Sequence, residues 1–300
     1  MSVSLFDISI RRSGFIDEFE SLIKTSDNSF KNSLVSGKIS YQSFTADFNK
    51  VEIGASNQEI SSKIKTDLFL GAERVRRQKI ALDNALSKPT ENGPWALITS
   101  YYFSFFCAIE ISKYCGRFTV NLSPENVTDL KAQWDAQSSD HILRNIQQGQ
   151  NLTLHCKISN DTKFNTSNIE ITRCGSKPHD VVWQVLSGIL QAHKSGLKNE
   201  NQQSDADLFL KILGFPTRWP KPNSIRNSWN YQRSEYFQKS NYQYLLDQFF
   251  KNSGNLNQSY AWLRQHSISP NDPTQQTARI SVLSNTLEAS SNKVFELLEL

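Results

Sequence analysis

Residues 95–115, reading WALITSYYFSFFCAIEISKYC, constrain the fold more than any other stretch of the chain. Apolar and aromatic side chains would cover most of the circumference of a helix formed here, so that helix needs neighbours on several sides. Thr99, Ser100, Ser104, Glu110, Ser112 and Lys113 interrupt it too often for a membrane span of about 20 residues. The segment is expected at the centre of a helical bundle, and no membrane is expected as a partner. Glu110 sharpens the expectation, because a carboxylate on a largely apolar helix must meet a cation or reach water.

Helical periodicity continues on both sides. Over residues 61–86, Ile64, Leu68, Ala72, Val75, Leu82 and Leu86 recur at helical steps, and Pro89 with Asn92-Gly93-Pro94 should end that helix. The same spacing predicts helices over 181–193, 205–213, 242–250, 256–266 and 274–300. Short helices are expected within residues 1–60, first around Phe15, Phe19, Leu22 and Ile23, then around Phe30, Leu34, Tyr41, Phe44 and Phe48. Between 116 and 175 the apolar period drops to two, at Phe118 and Val120, then Leu152, Leu154, Cys156 and Ile158, then Ile169 and Ile171. The expected architecture is therefore mainly α: a bundle over 61–250 with a small β-hairpin or sheet inserted at 116–175, a helical extension over 1–60, and helices over 251–300 packed on the bundle.

Composition supports a real core and excludes several functions. Only 38% of residues are hydrophobic, but 18 Phe, 9 Tyr and 6 Trp compensate, since each large aromatic buries about 150–250 Å². A net charge of +4 permits contact with nucleic acid without marking a dedicated binder. Residues 1–10 carry Asp7 and lack the basic-then-apolar order of a signal peptide, and the four cysteines show no CxxC spacing. A cytoplasmic protein with free thiols is expected. GxSxG, GxxxxGK[ST] and GxGxxG are absent, which removes hydrolase-elbow, P-loop and dinucleotide readings. His155, Cys156, Cys174 and His179 offer four nitrogen or sulfur ligands, yet neighbours 155 and 156 on a strand point to opposite faces. No metal and no cofactor are expected.

The chemistry-bearing text follows a proline-rich run. Residues 214–223 should be extended, because each proline disfavours α geometry in the residue before it. Asn223 or Ser224 should then cap a helix carrying Arg226, Asn227, Asn230 and Tyr231. Arg226 with Asn230, and Asn227 with Tyr231, are spaced i, i+4, so the four side chains would share one surface, and the guanidinium fork matches two phosphate oxygens. The same residues also fit a helix on which Arg226 stacks on Trp229 or Tyr231 while the asparagines cap turns. Arg74, Arg76, Arg77 and Lys79 read either as a solvated helix face or as a phosphate track. Ser104 and Glu110 are expected to line a bundle cavity and support the site, Glu110 by facing Arg226.

A helix reading Ser100-Tyr101-Tyr102-Phe103-Ser104-Phe105-Phe106-Cys107-Ala108, followed later by a helix that begins Arg226-Asn227, resembles the HEPN superfamily of all-α bundles over residues 60–250, apart from the β-insertion. The resemblance implies a homodimer whose motifs face each other. It implies a metal-independent ribonuclease, or an RNA- or nucleotide-binding protein, of a prokaryotic stress, toxin–antitoxin or antiviral-defence system, with a protein partner encoded nearby. It assigns Arg226 to the scissile phosphate, Asn227 to the polar position beside it, and Tyr231 to the place of the family's proton-transferring histidine. Asn230, Arg233, Arg74 and Arg77 are the expected RNA- or nucleotide-binding residues. In some toxin-type relatives a modifiable tyrosine stands where this chain has Arg233, so that regulation is not implied. Tyrosine, with a pKa of about 10 against about 6.5 for histidine, accepts protons poorly at pH 7. A catalytically inactive interaction subunit of a multi-protein complex is the alternative expectation.

Overall fold

The computed structural model describes residues 5–7, 10, 28–147, 149–161, 164–175, 177–197, 199–216, 219–232, 239–269 and 272–300. The helix expected around Phe15, Phe19, Leu22 and Ile23 lies outside the described residues. The protein is mainly α with one five-stranded antiparallel sheet. Two compact units divide the chain, one formed by Arg11–Gly71, Ser112–Val182 and Leu297–Leu300, the other by Met1–Ile10, Ala72–Ile111 and Trp183–Glu296. They are termed the sheet unit and the helical unit.

In the sheet unit the strands are β1 (Ser43–Ala46), β2 (Lys50–Ser56), β3 (Arg117–Leu122), β4 (Leu152–Asp161) and β5 (Thr166–Arg173), ordered β1-β2-β5-β4-β3. Alternation buries Val51, Ile53, Ala55, Phe118, Val120, Leu154, Cys156, Ile158, Ile169 and Ile171 on one face. Helices α1 (Phe30–Val35) and α4 (Pro124–Asp135) contribute to this core. Phe30 meets Phe118 edge-on with centroids 5.2 Å apart, and Trp134 lies 6.4 Å from Phe44. Helix α4 starts where Ser123 accepts from the Asn126 N–H ahead of Pro124, which suits the cap-then-proline preference of helix starts.

Two expectations are corrected here. Tyr41, Phe44 and Phe48 do not extend a series of short helices; residues 43–56 form a hairpin. The Asp47 carboxylate accepts from the N–H groups of Asn49 (2.6 Å) and Lys50 (2.9 Å) and turns the chain, an Asx-type turn that competes with helix. The sheet is consequently larger than an insertion at 116–175, because two of its strands precede the long helix.

The helical unit holds the second half of α2 (Asn57–Leu86), most of α3 (Pro89–Tyr114) and α5 (Pro178–Lys194), then α6 (Glu200–Ile212), α7 (Pro222–Asn227), a π-helical turn (Ser228–Gln232), α8 (Lys239–Asn252), α9 (Leu256–Gln265) and α10 (Pro273–Leu297). Helix α3 begins at Pro89 and carries Pro94 inside it, so Asn92-Gly93-Pro94 is no breaker. Placed so early in the helix, that proline removes one backbone hydrogen bond without ending the element. Residues Glu91–Tyr114 are long and apolar enough to cross a membrane by length and composition alone, and 67% of their most apolar window is buried in the protein. Tyr101, Phe105 and Trp183 form an aromatic cluster with centroids 5.9–6.2 Å apart, Tyr101 stacked on Phe105 and Trp183 set at an angle to both.

Candidate functional site

Tyr102, Phe106 and Glu110 succeed one another at i, i+4 and i+8 on α3, so they form one row along that helix. Two arginines meet the row. From α7, Arg226 donates through Nη2 to the Tyr102 hydroxyl at 2.7 Å and through Nη1 to the Asn227 side-chain carbonyl. Its guanidinium carbon lies 5.2 Å from the Tyr102 ring centroid and 5.6 Å from that of Tyr101. From α2, Arg74 donates through Nη2 to Glu110 at 2.7 Å and lies 4.9 Å from the Phe106 centroid. Glu110 has no exposed side-chain surface, whereas Arg74 is 45% exposed.

Glu110, expected to face Arg226, is thus the partner of Arg74. The helix axis explains the exchange: eight residues separate Tyr102 from Glu110, about 12 Å of rise, and Arg226 is engaged at the Tyr102 end. The aromatic faces under Arg226 include Tyr101 and Tyr102 of α3 rather than coming only from its own helix. Ser104, expected to line a cavity, is fully buried and donates to the Ser100 carbonyl of its own helix at 2.7 Å. Of the basic run on α2, Arg76 and Arg77 both bind Glu73, at 2.8 and 2.7 Å, and are 63% and 78% exposed. Lys79 binds Asp83 and Glu288, each at 3.0 Å. Glu73 and Asp83 interleave with the cations and make this face mixed rather than basic.

Local structure fixes how Arg226 is offered. Helix α7 begins at Pro222 with Lys221 as its cap, and no side chain caps it, so the expected capping role of Asn223 or Ser224 is not realised. Proline at the first helical position supplies the helical φ in place of a capping side chain. The preceding run is not an extended strap either. Gly214 has φ +88°, and a Cβ there would sit 3.0 Å from the Lys221 Cα, so the chain returns close to its own start. Only glycine combines that backbone angle with that approach. Arg279 of α10, with no exposed surface, pins both ends of the loop: its Nη2 donates to the carbonyls of Lys211 (2.9 Å), Ile212 (3.3 Å) and Pro220 (2.9 Å). Burial pulls its pKa down to about 10.

After Asn227 the α-helix widens into the π turn, in which hydrogen bonds close at i, i+5. The hydrogen bonds there close one residue later than the i, i+4 register assumed for Arg226 with Asn230 and for Asn227 with Tyr231, while residues four apart still fall within one turn of each other. Asn230 is half-buried. The Tyr231 side chain and the whole of Arg233 lie outside the described residues.

Three features were missed by sequence reasoning. Tyr102 stands in the motif but was not singled out as the partner of Arg226. Arg279 is a lone cation among Thr277, Ala278, Ile280, Ser281, Val282 and Leu283, the same signal that marked Glu110. His141 and Asp135 form a pair at 2.9 Å that looks catalytic. His141 Nδ1, however, accepts the Leu143 N–H at 3.2 Å and its Nε2 donates to Asp135, so both ring nitrogens are engaged in holding the loop. That pair ties the end of α4 to the following loop.

The site that emerges is a half-buried guanidinium held by a phenol, an amide and aromatic faces, with a second, more exposed guanidinium, from α2, meeting α3 two turns further along. Such a cation can neutralise and orient an oxyanion. No family model, no curated protein and no solved structure matches this chain.

Proposed function

We propose that this chain is an HEPN-like protein that binds RNA or nucleotides at Arg226 and, as a homodimer, cleaves RNA without a metal. The setting we propose with it is cytoplasmic, in a prokaryotic stress, toxin–antitoxin or antiviral-defence system, alongside a protein partner encoded nearby. One observation carries the reading. The two motifs behind the resemblance, 124 residues apart in sequence, meet in the 2.7 Å hydrogen bond from Arg226 to Tyr102.

In this reading Arg226 stabilises the charge that develops on the phosphate as a ribose 2′-hydroxyl attacks, and Asn227 holds the guanidinium in place. Tyr231 donates a proton to the departing 5′-oxygen, and solvent hydroxide takes the 2′-hydroxyl proton because Tyr231 stands at the position of the family's histidine. The products are a 2′,3′-cyclic phosphate and a free 5′-hydroxyl, and the rate rises with pH. Incubation with total RNA in EDTA at pH 7 and pH 9 tests this: the wild type should release cyclic-phosphate ends faster at pH 9, and R226A none. Intact RNA at high protein concentration would contradict the enzyme.

The second reading, a silent interaction subunit, is favoured by Tyr231 at the histidine position. It requires R226A to keep biological activity and a genome-neighbour product to co-purify.

A further inference from the structure

The face of the sheet opposite its buried one is polar throughout, and its charges are sorted. Cross-strand register places Arg117, Lys157, Glu170 and Glu52 side by side in one row across β3, β4, β5 and β2, with Thr45 of β1 beyond them. Arg117 directly opposes Lys157, and Glu170 directly opposes Glu52. Like charges in direct opposition disfavour strand pairing, and an alternating order would have avoided both clashes. Among the described residues no ion pair joins Lys157 to Glu170, although they stand opposite each other, and Arg117 closes none; Glu52 is bound by Lys50 at 2.6 Å. The flanking rows carry Thr119, His155, Thr172 and Lys50 on one side and Ser159, Asn168 and Gly54 on the other. Lys157, Ser159 and Asn168 are exposed.

We infer that this face receives a second copy of itself. A twofold axis parallel to the strands, above the boundary between β4 and β5, turns the sheet over and keeps each row in place while reversing its order. Lys157 then faces the partner's Glu170 and Arg117 faces the partner's Glu52. Symmetry repeats both contacts, so a row with two like-charge clashes within one chain gains four opposite-charge contacts between two. In the flanking rows Ser159 comes opposite the partner's Asn168, where hydroxyl and amide can pair. Packing of two sheets face to face with nearly aligned strands is an ordinary geometry. The order of two cations then two anions is what selects a second copy: a uniformly anionic partner is repelled by the Glu52–Glu170 half, and a cationic one by the other half. The inference is independent of the reading of Arg226.

The test is sedimentation of the full chain. The wild type is expected to dimerise at concentrations up to about 100 μM, and the dimer should weaken as salt rises. K157E sets carboxylate against carboxylate and E170K ammonium against ammonium, so each alone should dimerise about tenfold more weakly or worse. An equimolar mixture of K157E and E170K restores opposite charges at both contacts and should regain the dimer as a heterodimer. Circular dichroism and melting confirm that each variant folds; if one does not, R117E with E52K repeats the test on the outer pair. A monomeric wild type, a wild-type assembly that neither substitution makes smaller, or a mixture no larger than the separate variants overturns the inference; a homodimer through the Arg226 motifs would persist in every variant and sets the baseline.

Discussion

The cations of the helical unit and those of the sheet unit are set in opposite ways. Against α3 each arginine is tied by named partners: Arg226 of α7 by Tyr102, Asn227 and the faces of Tyr101 and Tyr102, Arg74 of α2 by Glu110 and the face of Phe106. On the sheet, Arg117 and Lys157 stand side by side and close no ion pair among the described residues, beside two carboxylates in direct opposition. A cation held by a phenol, an amide and aromatic faces is fixed in place, which suits a small anion brought to one position. Cations and anions sorted into halves of a flat face suit recognition of a matching surface. The first arrangement resembles a site, the second an interface.

The comparison can be broken most forcefully at Arg279, on which the placement of Arg226 depends. Its guanidinium is buried and bonds three carbonyls at the end of α6 and in the proline-rich loop. R279A is expected to cost about 3–5 kcal/mol in urea unfolding. R77A, which removes an arginine 78% exposed and paired with Glu73, itself 43% exposed, should cost under about 1 kcal/mol.

Next in size is the Arg74–Glu110 pair, where the order of the two single substitutions matters. R74A strips the cation from a carboxylate with no exposure and should cost about 2–4 kcal/mol. E110A frees an arginine that is already 45% exposed and can turn to water, so about 1–2 kcal/mol is expected. Equal costs in denaturant titration would mean that the carboxylate is not held by Arg74.

The sheet offers a smaller, pH-dependent effect. Burial, followed by the neighbouring Arg117, holds the His155 pKa below its ordinary value, with Glu170 opposing and Lys157 assisting. A histidine depressed on folding binds a proton more readily when unfolded. It therefore contributes stability fully present above pH about 6.5 and lost as pH falls through its folded pKa, at no more than about 1.4 kcal/mol per pH unit. H155N should flatten that part of the stability profile, and an unchanged slope between pH 7 and pH 5 would remove His155 as its source.

How much of this was legible in the sequence differs between the same two units. The apolar run around Tyr101 correctly located a buried helix, and Glu110 correctly implied a cation, because burial of a charge is a local rule. The identity of that cation was not legible: Arg226 and Arg74 were equally available until the rise of α3 separated their positions. Tyr41, Phe44 and Phe48 mimic helical spacing, and only the Asp47 turn, which competes with helix through its side chain, reveals a hairpin. Helix α4 was overlooked inside a region read as β, although Ser123-Pro124 and the Val127, Leu130, Trp134 spacing mark it. The loop before α7 was misread because X-Pro rules constrain single residues, whereas its closure depends on Gly214 meeting Lys221 and on Arg279 from far along the chain. The sorted row on the sheet is invisible without register, since its four charges come from four strands.

The most direct measurement is binding of a fluorescently labelled single-stranded RNA, followed by anisotropy at two salt concentrations, for the wild type, R226K, Y102F and R264K. If Arg226 presents its fork to a phosphate, R226K should bind about tenfold more weakly or worse, Y102F should lose severalfold, and R264K should match the wild type. R226K binding RNA as tightly as the wild type at both salt concentrations would contradict the account.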